Sequence, residues 1–493
     1  MTRFFLLLGF ILYTTQLYAV SQHVRQEIDT TTSPNIIVIM ADDHGQWASA
    51  VYGNPDVRTP NMRWLADNGV AFSHAYAVSP VCSPSRASFF TGRMPSQHGV
   101  HDFLSENPNF DHGWLQGQVF LSELLQEAGY KTALVGKWHA TTNSAKVQRG
   151  FDFWFSYDVG PAGWSNQYQH RGNVHYSHNG QPTVLSGLQT PQLTDKAMAF
   201  MDQQSSDQPI FLFLGFVDTH APFEGQPERL VAPFRSRSLR SASLNKSSYL
   251  PPRSEVNRLP NDHLEQLAQY YAGVELMDQQ VGRLIDYLEA KEMLDNTIII
   301  YTSDHGHMNG HHGLYGKGNA TRPQNFYQES ILVPLSITWR GRLGGGAMED
   351  APVSTVDLYQ TIVETAQVEM TPARRDSINS PGRNIVAYLQ GHRAEWSEFQ
   401  YSELGNARMI ANQKYKYVQR LDPIVGTFGD ELYDLQHDPG ENKNVLEHPN
   451  YKPVVQELES ALEAFFDNYH TPQHSGANLA GQPSANPNEQ WRK

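Results

Sequence analysis

Four continuous apolar runs, rich in β-branched residues, stand out along the chain. They cover residues 34–40, 131–136, 209–217 and 297–302. A run that is apolar at every position is typical of a strand buried on both faces of a sheet. Segments with helical spacing separate the runs, and the longest of these spans about 262–291. The pattern predicts an α/β fold in which helices cover both faces of a sheet.

The pattern changes after about residue 391. Short alternating segments separated by turns predict a small antiparallel sheet at residues 401–403, 408–410, 415–418 and 431–434. One amphipathic helix is predicted over 451–469, and the polar, Pro- and Gly-rich end is expected to be a disordered tail. The predicted units are a main domain at 20–390, a C-terminal subdomain at 391–470 and a tail at 471–493.

Residues 1–19 have the pattern of a signal peptide. A short charged start precedes the apolar run 4–13, which is too short to span a bilayer, and a small residue, Ala19, follows at a plausible cleavage point. No cysteine follows it that could carry a lipid, and no later run is long enough to cross a membrane. We expect an exported protein, periplasmic or secreted, without a membrane anchor.

The charge balance and the cysteine content narrow the function. With 37 basic and 51 acidic residues the net charge is −14, which disfavours binding to nucleic acid. Cys82 is the only cysteine among 493 residues, so a disulfide within the chain is excluded. Pro84 and Arg86 predict that a helix opens just after Cys82, where positive potential favours a thiolate. The alternative is a small buried apolar residue, the usual role of a free cysteine.

Polar clusters follow each predicted buried strand, at the sheet edge where α/β proteins bind ligands. Asp42, Asp43 and Asp304 offer oxygen ligands for a hard divalent cation, without which three charges would be uncompensated. A solvated turn is the alternative for the Asp42–Asp43 pair. Donors for a developing anion and groups for proton transfer are the basic residues Lys137, Lys317, His139 and His220. Each of these four, taken alone, would more often be structural or lie at the surface.

The order of these motifs resembles that of the type I, formylglycine-dependent sulfatases of the alkaline-phosphatase-like superfamily. The matching segments are Asp42-Asp43, Cys82-Ser83-Pro84-Ser85-Arg86, Gly136-Lys137-Trp138-His139, His220-Ala221-Pro222-Phe223, Ser303-Asp304-His305-Gly306, Gly316-Lys317-Gly318 and Asp438-Pro439-Gly440-Glu441. The resemblance implies a large mixed α/β sheet with helices on both faces and a smaller C-terminal antiparallel sheet. It also implies one Ca²⁺ per chain and oxidation of the cysteine to formylglycine by a maturation enzyme.

The same resemblance implies a role for each site residue. The metal would be held by Asp42, Asp43, Asp304, His305 and the formylglycine made from Cys82. Arg86 would steady the formylglycine, Lys137 and Lys317 would bind sulfate, His139 would act at the aldehyde hydrate, and His220 would protonate the leaving oxygen. His311 and His312 are expected to line the substrate pocket.

One departure concerns the metal. The residue after the third aspartate is often Asn in the family, whereas here it is His305, a softer ligand than calcium prefers. A zinc site built from His305, His307, His311 and His312 is therefore the rival interpretation.

The expected substrate is a sulfated, acidic polysaccharide or its oligosaccharides. A basic stretch after His220 could guide such a substrate, or could be a solvated insertion; it is expected to be a long loop and carries Arg229, Arg235, Arg237, Arg240, Lys246, Arg253 and Arg258. A phosphatase or phosphodiesterase of the same superfamily is the first alternative function. A non-catalytic protein that binds sulfated polysaccharide is the second.

Overall fold

A computed structural model describes residues 33–159, 164–242, 255–256, 260–394, 396–421, 429–489 and residue 491. The predicted signal peptide lies outside the described residues, and so do Lys246, Arg253 and Arg258 of the basic stretch. No helix among the described residues is long and apolar enough to cross a membrane.

A ten-stranded mixed sheet forms the centre of the protein. The strands of the main domain are β1 Asn35–Ala41, β2 Val70–Phe72, β3 Ala75–Tyr76, β4 Lys131–Gly136, β5 Phe153–Tyr157, β6 Arg171–His178, β7 Gln181–Leu188, β8 Ile210–Gly215, β9 Glu255–Val256, β10 Thr297–Ser303, β11 Thr321–Arg322, β12 Leu335–Trp339, β13 Ala347–Glu349 and β14 Val353–Ser354. The sheet order is β13-β2-β12-β10-β1-β8-β4-β5-β6-β7, while β9 pairs with β11 and β3 with β14.

The four predicted buried strands are confirmed as β1, β4, β8 and β10. They are adjacent in the sheet and run parallel to one another. The β1–β10 register runs from Asn35 opposite Thr297 to Ala41 opposite Ser303. Asp42 and Asp304 therefore leave the sheet side by side, at the carboxyl edge where ligands bind in such sheets.

Helices cover both faces, as the apolar runs predict. Successive residues of β1 alternate between the two cores, with Ile37 and Ile39 on one face and Ile36 and Val38 on the other. The first face carries α1 Pro60–Asp67, α5 Gln189–Met201, α6 Glu228–Arg235 and α7 His263–Ala290; the second carries α2 Cys82–Thr91, α4 Leu121–Glu127, α9 Asp357–Thr365, α10 Pro372–Ile378 and α11 Ile385–Leu389. Two short helices, α3 Pro95–His98 and α8 Gln328–Ile331, lie in connecting segments.

The C-terminal antiparallel sheet is confirmed, with strands in the order in which they occur. They are β15 Gln400–Leu404, β16 Ala407–Ala411, β17 Tyr415–Arg420 and β18 Glu431–Asp434. Helix α12, Lys452–Asn468, packs Leu458, Leu462 and Phe466 against Ile410 and Tyr417 of this sheet.

The expectation of a disordered tail is wrong for residues 471–489. Ala485 and Asn486 are buried, and a 3₁₀ turn spans Gly476–Gly481. The backbone N–H of Ser105 donates to Ala485 O at 2.9 Å, and Asn486 Nδ2 donates to Phe103 O at 2.8 Å. Hydrogen bonds rather than an apolar stripe hold this segment in place. Its polar composition is therefore compatible with an ordered structure.

Candidate active site

Cys82 lies in the first turn of α2 rather than just ahead of the helix. The helix begins at Cys82, and extended Val81 is its N-cap. The thiol is buried, with Lys317 Nζ 3.1 Å and His305 Nε2 3.3 Å from its sulfur. Burial alone would raise the pKa of Cys82, but Lys137, Lys317 and His305 lower it well below its ordinary value. The sequence-based expectation of a thiolate-favouring position is therefore supported by the charges of the site.

Each of the three carboxylates is paired with a basic side chain. The pairs are Asp42 with Lys137 at 2.5 Å, Asp43 with Lys317 at 2.7 Å and Asp304 with Arg86 at 2.8 Å. The expectation of three uncompensated charges in the absence of a cation is therefore wrong. We call Cys82, His305 and these six residues the Cys82 cluster.

The pairing acts on the carboxylates unequally. Burial raises the pKa of Asp42 to about 6, although Lys137 opposes the shift. Burial acts in the same direction on Asp43 and Asp304, but Lys317 holds the pKa of Asp43 well below its ordinary value, and His305 and Arg86 lower that of Asp304. At neutral pH the site therefore presents carboxylates rather than carboxylic acids.

The cluster retains atoms that suit a divalent cation. Ligand atoms of Asp42, Cys82, Asp304 and His305 all lie within 4.8 Å of one another, and a second such group contains Asp42, Asp43, Cys82 and His220. Asp42 Oδ1 is buried and has no hydrogen-bond partner among the described residues. An orphaned carboxylate oxygen beside two further carboxylates fits a hard cation.

Two histidines flank the thiol from different strand ends. His139 follows β4, hydrogen-bonds the Cys82 side chain, and has Nε2 3.0 Å from Leu104 O. Burial lowers the pKa of His139 to about 4, so its imidazole is neutral at pH 7. His220 follows β8, and its Nε2 lies 3.9 Å from Asp43 Oδ2.

Three residues that sequence reasoning missed support these groups. Tyr168 stacks on His220 with ring centroids 4.0 Å apart, and Lys137 Nζ lies 5.2 Å from the Tyr168 ring centroid. His170 donates from Nε2 to His220 O at 2.8 Å and places Nδ1 2.8 Å from Asp218 Oδ1. Asp218 stands at the end of β8 with His220 and had the same positional signal. Tyr168 and His170 follow no predicted strand, so the sequence offered no such signal for them.

His311 and His312 do not join the Cys82 cluster, and their place in a substrate pocket stays a prediction. Both face Glu329, with nitrogen–oxygen distances of 3.4 Å. His312 is buried and stacks on Tyr327, with ring centroids 3.9 Å apart. His312, Glu329 and Glu441 form a group of their own, and Lys416 pairs with Glu441. We call His311, His312, Glu329, Glu441 and Lys416 the Glu329 cluster.

The rival zinc site is not supported by this arrangement. Within the described part of the chain, His305 belongs to a group with Asp42 and Asp304, whereas His312 groups with Glu329 and Glu441. His307 and His311 join neither group of ligand atoms. The four histidines therefore do not gather around one point.

The basic stretch is not simply a long loop. Its first part is helix α6, in which Arg235 pairs with Glu228 at 2.7 Å and with Glu265 at 2.6 Å. Arg229 donates to Gln279, and Arg237 donates to Asp56 O. These described arginines are engaged by neighbouring groups, so the structure gives no support for their role in guiding substrate.

Two family models match the chain. One, described as sulfatase, matches residues 34–368. The other, described as the C-terminal part of N-sulphoglucosamine sulphohydrolase, matches residues 310–468. Together the two matches extend over the main domain and the C-terminal subdomain.

Similar proteins span nearly the same length. N-acetylglucosamine-6-O-sulfatase of Bacteroides thetaiotaomicron is 26% identical over 89% of this chain and 88% of its own. Choline-sulfatase of Rhizobium meliloti is 30% identical over 89% of this chain and 86% of its own. A solved structure of a protein in complex with its substrate D-glucosamine-2-N,6-O-disulfate has a TM-score of 0.74 at 24% identity, covering 89% of this chain and 98% of that one. This last likeness shows a shared fold.

Proposed function

Since the chain belongs to the sulfatase family, we propose that it hydrolyses sulfate esters of a saccharide, with a nucleophile made from Cys82. The chain is an enzyme of the sulfuric ester hydrolase class. Beyond this class, we propose the roles of individual residues, the modification of Cys82, the metal and the substrate.

The observation that carries the proposal is the setting of the only cysteine. Cys82 begins a helix, is buried, and lies within hydrogen-bonding distance of Lys317 and His305. A structural cysteine has no need of cationic neighbours, since an apolar surrounding suits a thiol. Three cationic side chains around one sulfur instead suit a group that carries negative charge during a reaction.

The thiol stands in for formylglycine, whose hydrated aldehyde would supply a hydroxyl nucleophile. Lys317 would donate to both this group and a transferring sulfuryl oxygen, since its Nζ lies at the cluster's exposed side. Lys137, buried against Asp42, would contribute positive charge beneath the site. Arg86 would hold the helix start in register with the third carboxylate, since it binds Asp304 and donates to Lys137 O at 2.8 Å.

Two histidines would divide the proton transfers. His139 is neutral at pH 7 and hydrogen-bonded to position 82, so it would accept the proton from the hydroxyl group there. His220 is the more exposed of the two and lies on the side of Asp43. It would donate a proton to the leaving alcohol oxygen, with its ring held by Tyr168.

Calcium would be held by Asp42, Asp43 and Asp304, with position 82 and His305 completing the set. Four of these five positions would offer oxygen once Cys82 is oxidised, which is the donor set of a hard cation. The ion would supply positive charge that stabilises the anionic sulfuryl group. Lys137 and Lys317 would then share the carboxylates with the metal rather than neutralise them alone.

A saccharide is the proposed carrier of the ester because a relative spanning 89% of the chain is a sulfatase of N-acetylglucosamine. A sulfated polysaccharide or its oligosaccharides would be met outside the cytoplasm, so export is part of the proposal. The host would also need a formylglycine-generating or sulfatase-maturing enzyme that acts on the Cys82–Arg86 segment.

The test compares ester types in enzyme produced with a maturation enzyme. We expect sulfate release from 4-nitrophenyl sulfate and from sulfated sugars, and far slower phosphate release from 4-nitrophenyl phosphate. Faster phosphate release would favour the phosphatase alternative. Binding of sulfated oligosaccharide without release of either anion would favour a non-catalytic binding protein.

A further inference from the structure

A cavity of about 770 Å³ opens at the carboxyl ends of β4 and β5. Its wall includes Glu106, Asp111 and Asp158 together with Asn107, Thr142 and Asn143. Thr142 follows β4, as His139 does, and Asp158 is the residue after β5. The cavity therefore lies at the same edge of the sheet as the Cys82 cluster.

One short segment ties the cavity to the nucleophile position. The N–H of Leu104 donates to Ser83 Oγ at 2.9 Å, and Leu104 O lies 3.0 Å from His139 Nε2. Ser105 and Glu106, the next two residues, line the cavity. The segment that contacts Ser83 and His139 therefore continues directly into the wall of the cavity.

The wall is acidic. It contains three carboxyl groups, and no lysine or arginine lines it among the described residues. Burial raises the pKa of Glu106 to about 7, and Ser144 Oγ donates to it at 2.6 Å. Carboxylates accept hydrogen bonds from hydroxyl and ammonium groups and repel carboxylate or sulfate groups.

Building on the proposed function, we infer that this cavity binds the alcohol part of the substrate as a neutral or amine-bearing sugar unit. Glu106, Asp111 and Asp158 act as the residues that determine this specificity. A unit with an added carboxylate or sulfate on the face that meets the cavity is rejected. An acidic polysaccharide could offer a sugar unit that carries a carboxylate, a uronate. Such a unit is therefore disfavoured in this cavity.

Two sugars that differ at a single substituent test the inference. Glucosamine 6-sulfate has a protonated amine where glucosamine 2-N,6-O-disulfate has a second sulfate. We expect kcat/KM for release of the 6-sulfate to be at least about tenfold higher for the first sugar, because like charges placed together weaken binding. Choline sulfate and 4-nitrophenyl sulfate are run in parallel.

Asp111→Lys is the informative variant, because Asp111 is exposed and its replacement leaves the core intact. We expect it to lower the preference for glucosamine 6-sulfate by at least about tenfold. Asp158→Asn should lower it less, since it removes a charge without reversing it, and Glu106→Gln should lower it least, because Glu106 is only partly ionised at neutral pH. Asp207→Asn is the matched control: Asp207 is exposed just ahead of β8, at the opposite edge of the sheet, so the preference should not change.

The outcomes separate the two proposals. Hydrolysis of 4-nitrophenyl sulfate with a preference for the disulfate, or with a preference that Asp111→Lys leaves unchanged, overturns the inference while the sulfatase activity stands. A preference for choline sulfate of tenfold or more over both sugars overturns the assignment to a sugar. Failure to hydrolyse any sulfate ester overturns the proposed function together with the inference.

Discussion

The Cys82 cluster and the Glu329 cluster are both buried groups of carboxylates with basic partners, and they differ in origin and in charge balance. The Cys82 cluster gathers the ends of the parallel strands β1, β4 and β10 around the start of α2. The Glu329 cluster joins α8 and the loop before it to the C-terminal subdomain, through Lys416 of β17 and Glu441.

The basic side chains around Cys82 do more than neutralise the carboxylates with which they pair. Lys137, Lys317 and Arg86 each match a carboxylate, yet Lys137 and Lys317, together with His305, also lower the pKa of Cys82. In the Glu329 cluster one lysine meets Glu441, and burial lowers the pKa of Lys416 while raising that of Glu441. Burial thus opposes both charges of that pair, and their mutual attraction is the largest influence that offsets it.

This difference indicates that the Cys82 cluster serves activity and that the Glu329 cluster serves stability. Gln328 N donates to Glu441 at 2.7 Å, and Glu329 contacts His311 and His312, which precede Lys317 in the same loop. The Glu329 cluster therefore fixes the loop that carries Lys317. Breaking the first cluster should remove activity from a folded enzyme, whereas breaking the second should unfold the junction.

The largest effect is expected for Cys82→Ser. Serine cannot supply the aldehyde hydrate, so sulfate release should fall by at least about a thousandfold. The melting temperature should change little, because the replacement is nearly isosteric and the cation pairs remain. Activity assays and thermal melts on one preparation check this. Substantial activity in the serine variant would contradict the role of Cys82.

Lys416→Met attacks the second cluster. Removing one partner of a buried ion pair leaves Glu441 uncompensated, so the free energy of unfolding should fall by about 3–5 kcal/mol. Denaturant unfolding measures this. Lys414→Met is the control, because Lys414 is exposed two residues away and should cost little.

Adding Glu441→Gln to Lys416→Met should recover part of the lost stability, because the uncompensated charge is gone. An unfolding free energy for Lys416→Met equal to that of Lys414→Met would show that the pair does not hold the junction.

Metal removal separates the clusters further. We expect a chelator to lower activity by at least about tenfold, and calcium to restore it. The fall in melting temperature should be only a few degrees, because Lys137, Lys317 and Arg86 already neutralise the carboxylates. Activity that is unchanged in metal-free enzyme would contradict a calcium site, and recovery with zinc alone would favour the rival metal.

The smallest effect is expected for Asn486→Ala in the C-terminal segment. It removes the bond to Phe103 O, next to Leu104, together with the bond that Asn486 Oδ1 accepts from Asn488 N–H, and should destabilise the protein by about 1–2 kcal/mol. Asn488→Ala is the control, since Asn488 is exposed. Equal melting temperatures for the two variants would show that this contact adds nothing.

Sequence reasoning reached the Cys82 cluster because its members stand at strand ends. Asp42, Lys137 and Asp304 each follow an apolar run, and parallel strands bring such residues to one edge. The sheet itself was predictable for the same reason, since a fully apolar run has few alternatives to a buried strand.

The remainder depends on contacts between segments without periodicity. Tyr168 lies in a 3₁₀ turn, and Glu329 meets Glu441, 112 positions further along the chain, only because two domains dock. The prediction of a disordered tail was wrong because composition indicates only how much apolar surface a segment can bury. Asn486 and Ala485 are instead held by hydrogen bonds to backbone groups of residues 103 and 105. The charge pairing of the three aspartates was likewise invisible, since it depends on where Lys137, Lys317 and Arg86 point.

The central claim is that Cys82 is the precursor of the nucleophile. Mass spectrometry of the peptide containing Cys82, from active enzyme produced with a maturation enzyme, tests it most directly. The account predicts a residue that has lost its sulfur and gained an aldehyde, in proportion to the specific activity of each preparation. Fully active enzyme whose peptide carries only the unmodified thiol would contradict it.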